Sequence, residues 1–173
     1  MSHRVFINPG GVYFGEGDER IETLLGSCVA VTIWHPERRI GGMCHFLLPR
    51  RPVDVRLRLA APDGRYGTDA IQALVDHARR RGTRLADYTV KIFGGGRVLD
   101  MEPRHGSVGD QNARFVMQQI ESLGLVASAV DLTGDGYRYL RFELSSGDVW
   151  VKRGQGVMGG RRSAARPETG RLG

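Results

Sequence analysis

The chain has 173 residues, of which 40% are hydrophobic, 25 are glycine and two are cysteine. This length fits one domain with a substantial core, and two cysteines exclude a disulfide-rich secreted scaffold. The formal net charge of +6 is compatible with an acidic partner, but half of it lies in the last twenty residues. We therefore expect no binding to nucleic acid.

Two further features bear on location and domain organisation. No apolar signal region follows residues 1–4, and no segment approaches the ~20 apolar residues that a membrane span needs. We expect a soluble, cytoplasmic protein with reduced thiols and no membrane insertion. Residues 1–153 are predicted to form a single domain, and the Gly/Arg-rich tail, residues 154–173, is predicted to be disordered.

The first third of the chain is rich in strand signals. Alternating or β-branched residues predict strands over residues 4–8, 11–15, 21–25, 28–34 and 40–48. The last two strands flank a turn at residues 35–39, so they are expected to form a hairpin. That hairpin would carry Cys28 at the start of one strand and His45 towards the end of the other, as neighbours across the strands.

An arginine-rich segment follows at residues 50–65, with five arginines, two aspartates and no clean periodicity. It is predicted to be a surface loop. It could be a solvated connector, or an entrance loop in which Arg56 and Arg58 attract an acidic partner.

Two amphipathic helices are predicted next. Residues 68–81 have helical spacing, with Thr68 as the N-cap and Gly82 as the stop. Residues 110–123 have a second apolar stripe, in which Met117 is expected to be core.

The remaining elements are strands and turns. A strand over residues 88–93 leads into three glycines, residues 94–96, which lack the lysine and Ser/Thr of a phosphate-binding loop. These glycines favour a close backbone approach near a site. Residues 125–132, 137–144 and 148–152 are predicted to form a three-stranded meander.

The thiol of Cys28, the imidazole of His45 and the hydroxyl of Thr23 suggest cysteine–histidine chemistry. The alternative is that Cys28 is a small buried core residue, as most free cysteines are. Cys44 should point to the opposite face of its strand from His45. A zinc site is not favoured, because Cys28, Cys44 and His45 lack the usual ligand spacing.

Paired motifs extend this pattern over most of the chain. They lie at residues 23–31 (TLLGSCVAV), 41–49 (GGMCHFLLP), 66–74, 91–96 and 108–112. Together they resemble the CheD family of chemoreceptor glutamine deamidases, and the resemblance covers about residues 5–153.

The resemblance implies an enzyme that converts receptor glutamines to glutamates without a metal or organic cofactor. It assigns Cys28 as the nucleophile, His45 as the base and Thr23 as the third member of the catalytic set. The implied fold is α+β, a β-sandwich-like mixed sheet core with two main helices packed outside, similar to the cytotoxic necrotizing factor deamidases.

The implied partners are the cytoplasmic regions of methyl-accepting chemotaxis receptors and a CheC-type phosphatase. An alternative is a non-catalytic binding module that regulates such a phosphatase.

Overall fold

The computed structural model describes residues 2–53, 61–99, 101, 103, 105–155 and 169–172. The strands are β1 Arg4–Phe6, β2 Val12–Glu16, β3 Arg20–Leu25, β4 Val29–His35, β5 Ile40–Phe46, β6 Thr89–Gly94, β7 Ala127–Leu132, β8 Tyr137–Glu143, β9 Val149–Gly154 and β10 Thr169–Leu172. The α-helices are α1 Gly67–Arg80 and α2 Val108–Ser122, and Leu85–Asp87 form a 3₁₀ turn. Within the described residues, no helix is long and apolar enough to cross a lipid bilayer.

The strands form two five-stranded sheets. The central sheet has the order β2-β5-β4-β6-β7, and the outer sheet has the order β1-β3-β8-β9-β10. The pairs β1–β3 and β6–β7 are parallel, and the other pairs are antiparallel. Two mixed sheets with two helices confirm the predicted α+β class.

Each face of the central sheet buries its own core, because strand side chains alternate between faces. Val31 and Ile33 of β4 pack with Leu74 of α1 and Val116 of α2 on the helix side. Ala30, on the other face of β4, belongs to a second cluster between the two sheets. That second cluster also contains Ile21, Leu25, Met43, Phe93, Leu140, Phe142 and Val151. The molecule is therefore layered as helices, central sheet and outer sheet.

The predicted hairpin is confirmed. The predicted meander is correct for β8 and β9, which pair antiparallel, but wrong for β7. β4 and β5 pair antiparallel from Val29↔Phe46 to His35↔Ile40. β7 instead joins the central sheet, parallel to β6, with α2 as the crossover between them. Thr133 and the following Gly134 both have positive φ, and this turn leads the chain into the outer sheet.

The helices differ from the prediction in their caps and in one buried position. α1 begins at Gly67 after Tyr66, so Thr68 is not its N-cap, and Gly82 ends it at φ +70° as predicted. α2 begins two residues early, because the Ser107 side chain accepts a hydrogen bond from the Asp110 amide. Met117 is 44% exposed, so its prediction as core is wrong.

The tail and the arginine-rich segment are described in part. Gly154 belongs to β9, and Thr169–Leu172 form β10 against β9, a strand that the sequence did not predict. Disorder in the rest of the tail stays a prediction, since residues 156–168 lie outside the described residues. Arg56 and Arg58 also lie outside them, while Arg51 forms an ion pair with Asp69.

Candidate active site

His45 lies near the end of β5, on the face of the central sheet that meets the outer sheet. It pairs with Ala30 of β4, and its side chain is 1% exposed. Met43, two residues earlier on the same face, belongs to the cluster between the sheets. Cys44 belongs instead to the cluster on the helix side. The predicted opposite orientation of Cys44 and His45 is therefore confirmed.

Cys28 immediately precedes β4 and is half-buried. Its side chain packs against the cluster between the sheets, which is the face that Ala30 and His45 occupy. Since Ala30 is directly opposite His45, Cys28 is the diagonal neighbour of His45 across the hairpin. The thiol and the imidazole therefore share one face at one end of the β4–β5 pair.

Thr23 reaches His45 from β3 of the outer sheet. Its hydroxyl is fully buried, lies 2.8 Å from the Ile7 carbonyl oxygen and lies 2.7 Å from His45 Nδ1. A hydroxyl has one hydrogen, and a carbonyl oxygen can only accept. Thr23 therefore donates to Ile7 and accepts from the Nδ1–H of His45.

This hydrogen bond fixes the tautomer of His45. With the proton on Nδ1, the neutral ring has an unprotonated Nε2. Nε2 is buried and has no hydrogen-bond partner among the described residues. A lone pair in that state is suited to accept a proton from a nearby acid.

Burial keeps both groups neutral in the free protein. It raises the pKa of the Cys28 thiol and lowers the pKa of His45 to about 4. The resting state therefore has a neutral thiol and a neutral imidazole on the same face of the hairpin.

Hydrogen bonds from two glycine amides to backbone carbonyls hold the turn at residues 26–28 in place. Gly96 N–H donates to the Gly26 carbonyl at 2.9 Å, and Gly95 N–H donates to the Cys28 carbonyl at 2.8 Å. A Cβ on Gly94 would lie 2.2 Å from the Cys28 carbonyl oxygen. The three glycines therefore permit a close backbone approach beside the site, as the sequence predicts.

A residue that the sequence analysis missed completes this arrangement. The Asn112 carboxamide of α2 is 0% exposed and donates to the Ser27 carbonyl at 2.9 Å. It also donates to the Leu47 carbonyl at 2.8 Å. A helical spacing of four to Val116 and Ile120, both buried, is the signal that could have placed Asn112 on the inner face.

The family model and the individual relatives that match this chain point to the same family. The family model described as CheD chemotactic sensory transduction matches residues 47–153, which is more than half of the chain. The chain therefore belongs to the CheD family. The matched range begins two residues after His45, so it includes neither Cys28 nor His45.

Three of these relatives show how far the likeness extends. "Probable chemoreceptor glutamine deamidase CheD 3" of Dechloromonas aromatica is 42% identical over 165 residues, covering 90% of each chain. "Probable chemoreceptor glutamine deamidase CheD" of Pseudomonas fluorescens is 45% identical over 152 residues, covering 86% of this chain and 83% of the relative. The protein of the same name from Vibrio vulnificus is 36% identical over 156 residues, covering 87% of this chain and 72% of the relative.

Proposed function

We propose that this chain is a cysteine-dependent protein-glutamine glutaminase that acts on methyl-accepting chemotaxis receptors in the cytoplasm. It would convert selected receptor glutamines to glutamates during adaptation. The names of the relatives support the reaction and the substrate. The observation that carries the mechanism is the 2.7 Å contact between Thr23 Oγ1 and His45 Nδ1, which leaves Nε2 free as a base.

The first half of the reaction forms a thioester. The Cys28 sulfur attacks the carboxamide carbon of the glutamine, and His45 Nε2 takes the thiol proton. The carbonyl π electrons move to oxygen, which becomes an oxyanion. When the carbonyl re-forms, the C–N bond breaks, and His45 gives its proton to the leaving nitrogen to release ammonia.

The second half restores the enzyme. A water molecule attacks the thioester carbon while His45 Nε2 accepts one of its protons. The C–S bond then breaks, Cys28 recovers the proton from His45, and glutamate is left on the receptor. Thr23 accepts the Nδ1–H bond throughout, so it stabilises the imidazolium that forms twice in the cycle.

The same groups would serve a cysteine peptidase or a transglutaminase, which use the same thioester-type chemistry. What favours deamidation is the name that the relatives share. The predicted CheC-type partner, and the alternative of a non-catalytic module that regulates it, stay predictions from the family resemblance.

Mass spectrometry of receptor cytoplasmic fragments tests the proposal. Wild-type protein should add ~1 Da at each converted glutamine and release an equal amount of ammonia, whereas Cys28→Ala should do neither. Cys44→Ala is the matched control, because its thiol lies in the core on the helix side. If Cys28→Ala converted receptor glutamines at the wild-type rate, the proposal would be refuted. The non-catalytic binding module would then be the better hypothesis.

A further inference from the structure

One buried side chain joins the two segments that hold the nucleophile and the base. The Asn112 nitrogen donates both to the Ser27 carbonyl and to the Leu47 carbonyl. Ser27 immediately precedes Cys28, and Leu47 lies two residues beyond His45. A single carboxamide therefore sets the spacing between the turn of Cys28 and the end of the strand of His45.

The bond to the Ser27 carbonyl also orients the amide of Cys28. The peptide bond is planar, and no cis peptide occurs in the described residues. In a trans peptide, the N–H of Cys28 points away from the Ser27 carbonyl and so away from Asn112. Among the described residues, no acceptor is hydrogen-bonded to the amide of Ser27 or of Cys28.

Two amides of the neighbouring glycines are not available as donors to the oxyanion. The amides of Gly95 and Gly96 already donate to the carbonyls of Cys28 and Gly26. Together with Asn112, they occupy three successive carbonyls of the turn. The amides of Ser27 and Cys28 therefore remain as the unused backbone donors beside the sulfur.

We propose that Asn112 is a positioning residue of the deamidation, an inference that rests on the proposed function. Asn112 holds the Ser27–Cys28 peptide so that the Cys28 amide donates to the oxyanion formed when sulfur attacks the glutamine. Its second hydrogen bond, to the Leu47 carbonyl, fixes the position of the Cys28 amide relative to His45. The Asn112 oxygen is buried without a hydrogen-bond partner in the described structure, so the side chain is not fully satisfied by folding.

Two reactions of Cys28 separate this role from a structural one. Deamidation builds an oxyanion, whereas alkylation by iodoacetamide displaces iodide at a saturated carbon and builds none. Both need an accessible Cys28 thiol and a neutral His45. Loss of an oxyanion donor should therefore lower kcat without lowering the alkylation rate.

The test compares Asn112→Ala and Asn112→Leu with wild type on receptor fragments. Both variants remove the Asn112 carboxamide that positions the Cys28 amide, and Asn112→Leu keeps most of the side-chain volume in case the smaller residue prevents folding. We expect kcat to fall about 100-fold, the order seen when an oxyanion donor is lost. KM and the second-order rate of Cys28 alkylation should stay within about threefold of wild type. Thr32→Val is the matched control, because its buried hydroxyl donates to the Lys91 carbonyl at 3.4 Å within the central sheet.

Failure of the inference about Asn112 and failure of the proposed function give different results. A kcat within threefold of wild type in a folded Asn112 variant would overturn the inference. An equal fall in kcat and alkylation would also overturn it, because it would indicate general distortion of the site. Activity of Cys28→Ala would instead refute the function itself.

Discussion

At the scale of single residues, the burial of His45 sets the pH range of the proposed reaction. The base must be neutral, and burial lowers its pKa to about 4. A lowered pKa keeps His45 unprotonated at pH values where an exposed histidine, with a pKa of ~6.5, would be charged. We expect kcat/KM for receptor fragments to stay level from pH 8 to about 5.5 and to fall only towards pH 4.

The pH profile has a clear contrary outcome. An acid limb with a midpoint near 6.5 would mean that His45 titrates as an exposed group or is charged in the resting state. Circular dichroism at each pH provides the control, because loss of the fold in acid would otherwise imitate loss of the base.

Thr23 provides a second prediction for a single residue. Thr23→Val keeps the shape of the side chain but removes the acceptor for the Nδ1–H of His45. The ring then loses its fixed tautomer, and we expect kcat to fall about 100-fold while KM changes little. Thr23→Ser, which keeps the hydroxyl, is the matched variant and should retain most of the activity. Equal activity of the Ser and Val variants would remove Thr23 from the catalytic set.

At the scale of elements, the alternation of β5 determines the role of the second cysteine. Cys44 packs on the helix side, and burial raises its pKa to about 12. Cys44→Ala should therefore keep wild-type kcat and lose about 1 kcal/mol of unfolding free energy through the small cavity it leaves. Denaturant unfolding and the deamidation assay check the two parts. An inactive, folded Cys44→Ala would make Cys28 an unsafe choice of nucleophile.

The hairpin of β4 and β5 could be predicted because it is local. Two β-branched segments flank a short turn, and their alternation specifies which face each side chain takes. The placement of β7 could not be predicted in this way. Its partner β6 precedes it by a whole helix, and a parallel crossover leaves no turn signal like that of a hairpin.

The interior of α2 shows why one part of the site was missed. The apolar stripe alone favoured Met117, which is exposed, over the polar Asn112, which is buried. Asn112 is buried because two carbonyls, 85 and 65 residues away in sequence, accept its hydrogen bonds. Nothing in the local pattern indicates such distant partners, so only the assembled structure identifies them.

At the scale of the whole molecule, the site depends on the packing of one sheet on the other. His45 belongs to the central sheet and Thr23 to the outer sheet, and the contact between them is buried. Sequence patterns predicted both strands but not that these two side chains would face each other. The family resemblance supplied Thr23, and the layered fold explains why the residue lies there.

A buried contact between β6 and β10 gives the last prediction. Lys91 of β6 is 4% exposed, and its ammonium donates to the Gly147 carbonyl at 2.9 Å and to the Leu172 carbonyl at 3.0 Å. Leu172 belongs to β10, so the last described strand is bound both to β9 and to a buried cation. Removal of residues 156–173 should therefore lower stability, contrary to what a wholly disordered tail would imply.

A double-mutant cycle isolates the contact between Lys91 and β10. The four proteins are wild type, Lys91→Met, the chain truncated after Gln155, and the truncated Lys91→Met variant. Each single change should lower the free energy of unfolding. The loss caused by Lys91→Met should be smaller in the truncated chain than in the full chain by about 1.5–3 kcal/mol, which is the contribution of a hydrogen bond to a charged group. Denaturant unfolding measures all four, and deamidation should be unchanged because Cys28 and His45 keep their partners. Equal costs of Lys91→Met in the two backgrounds would show that β10 contributes nothing through Lys91.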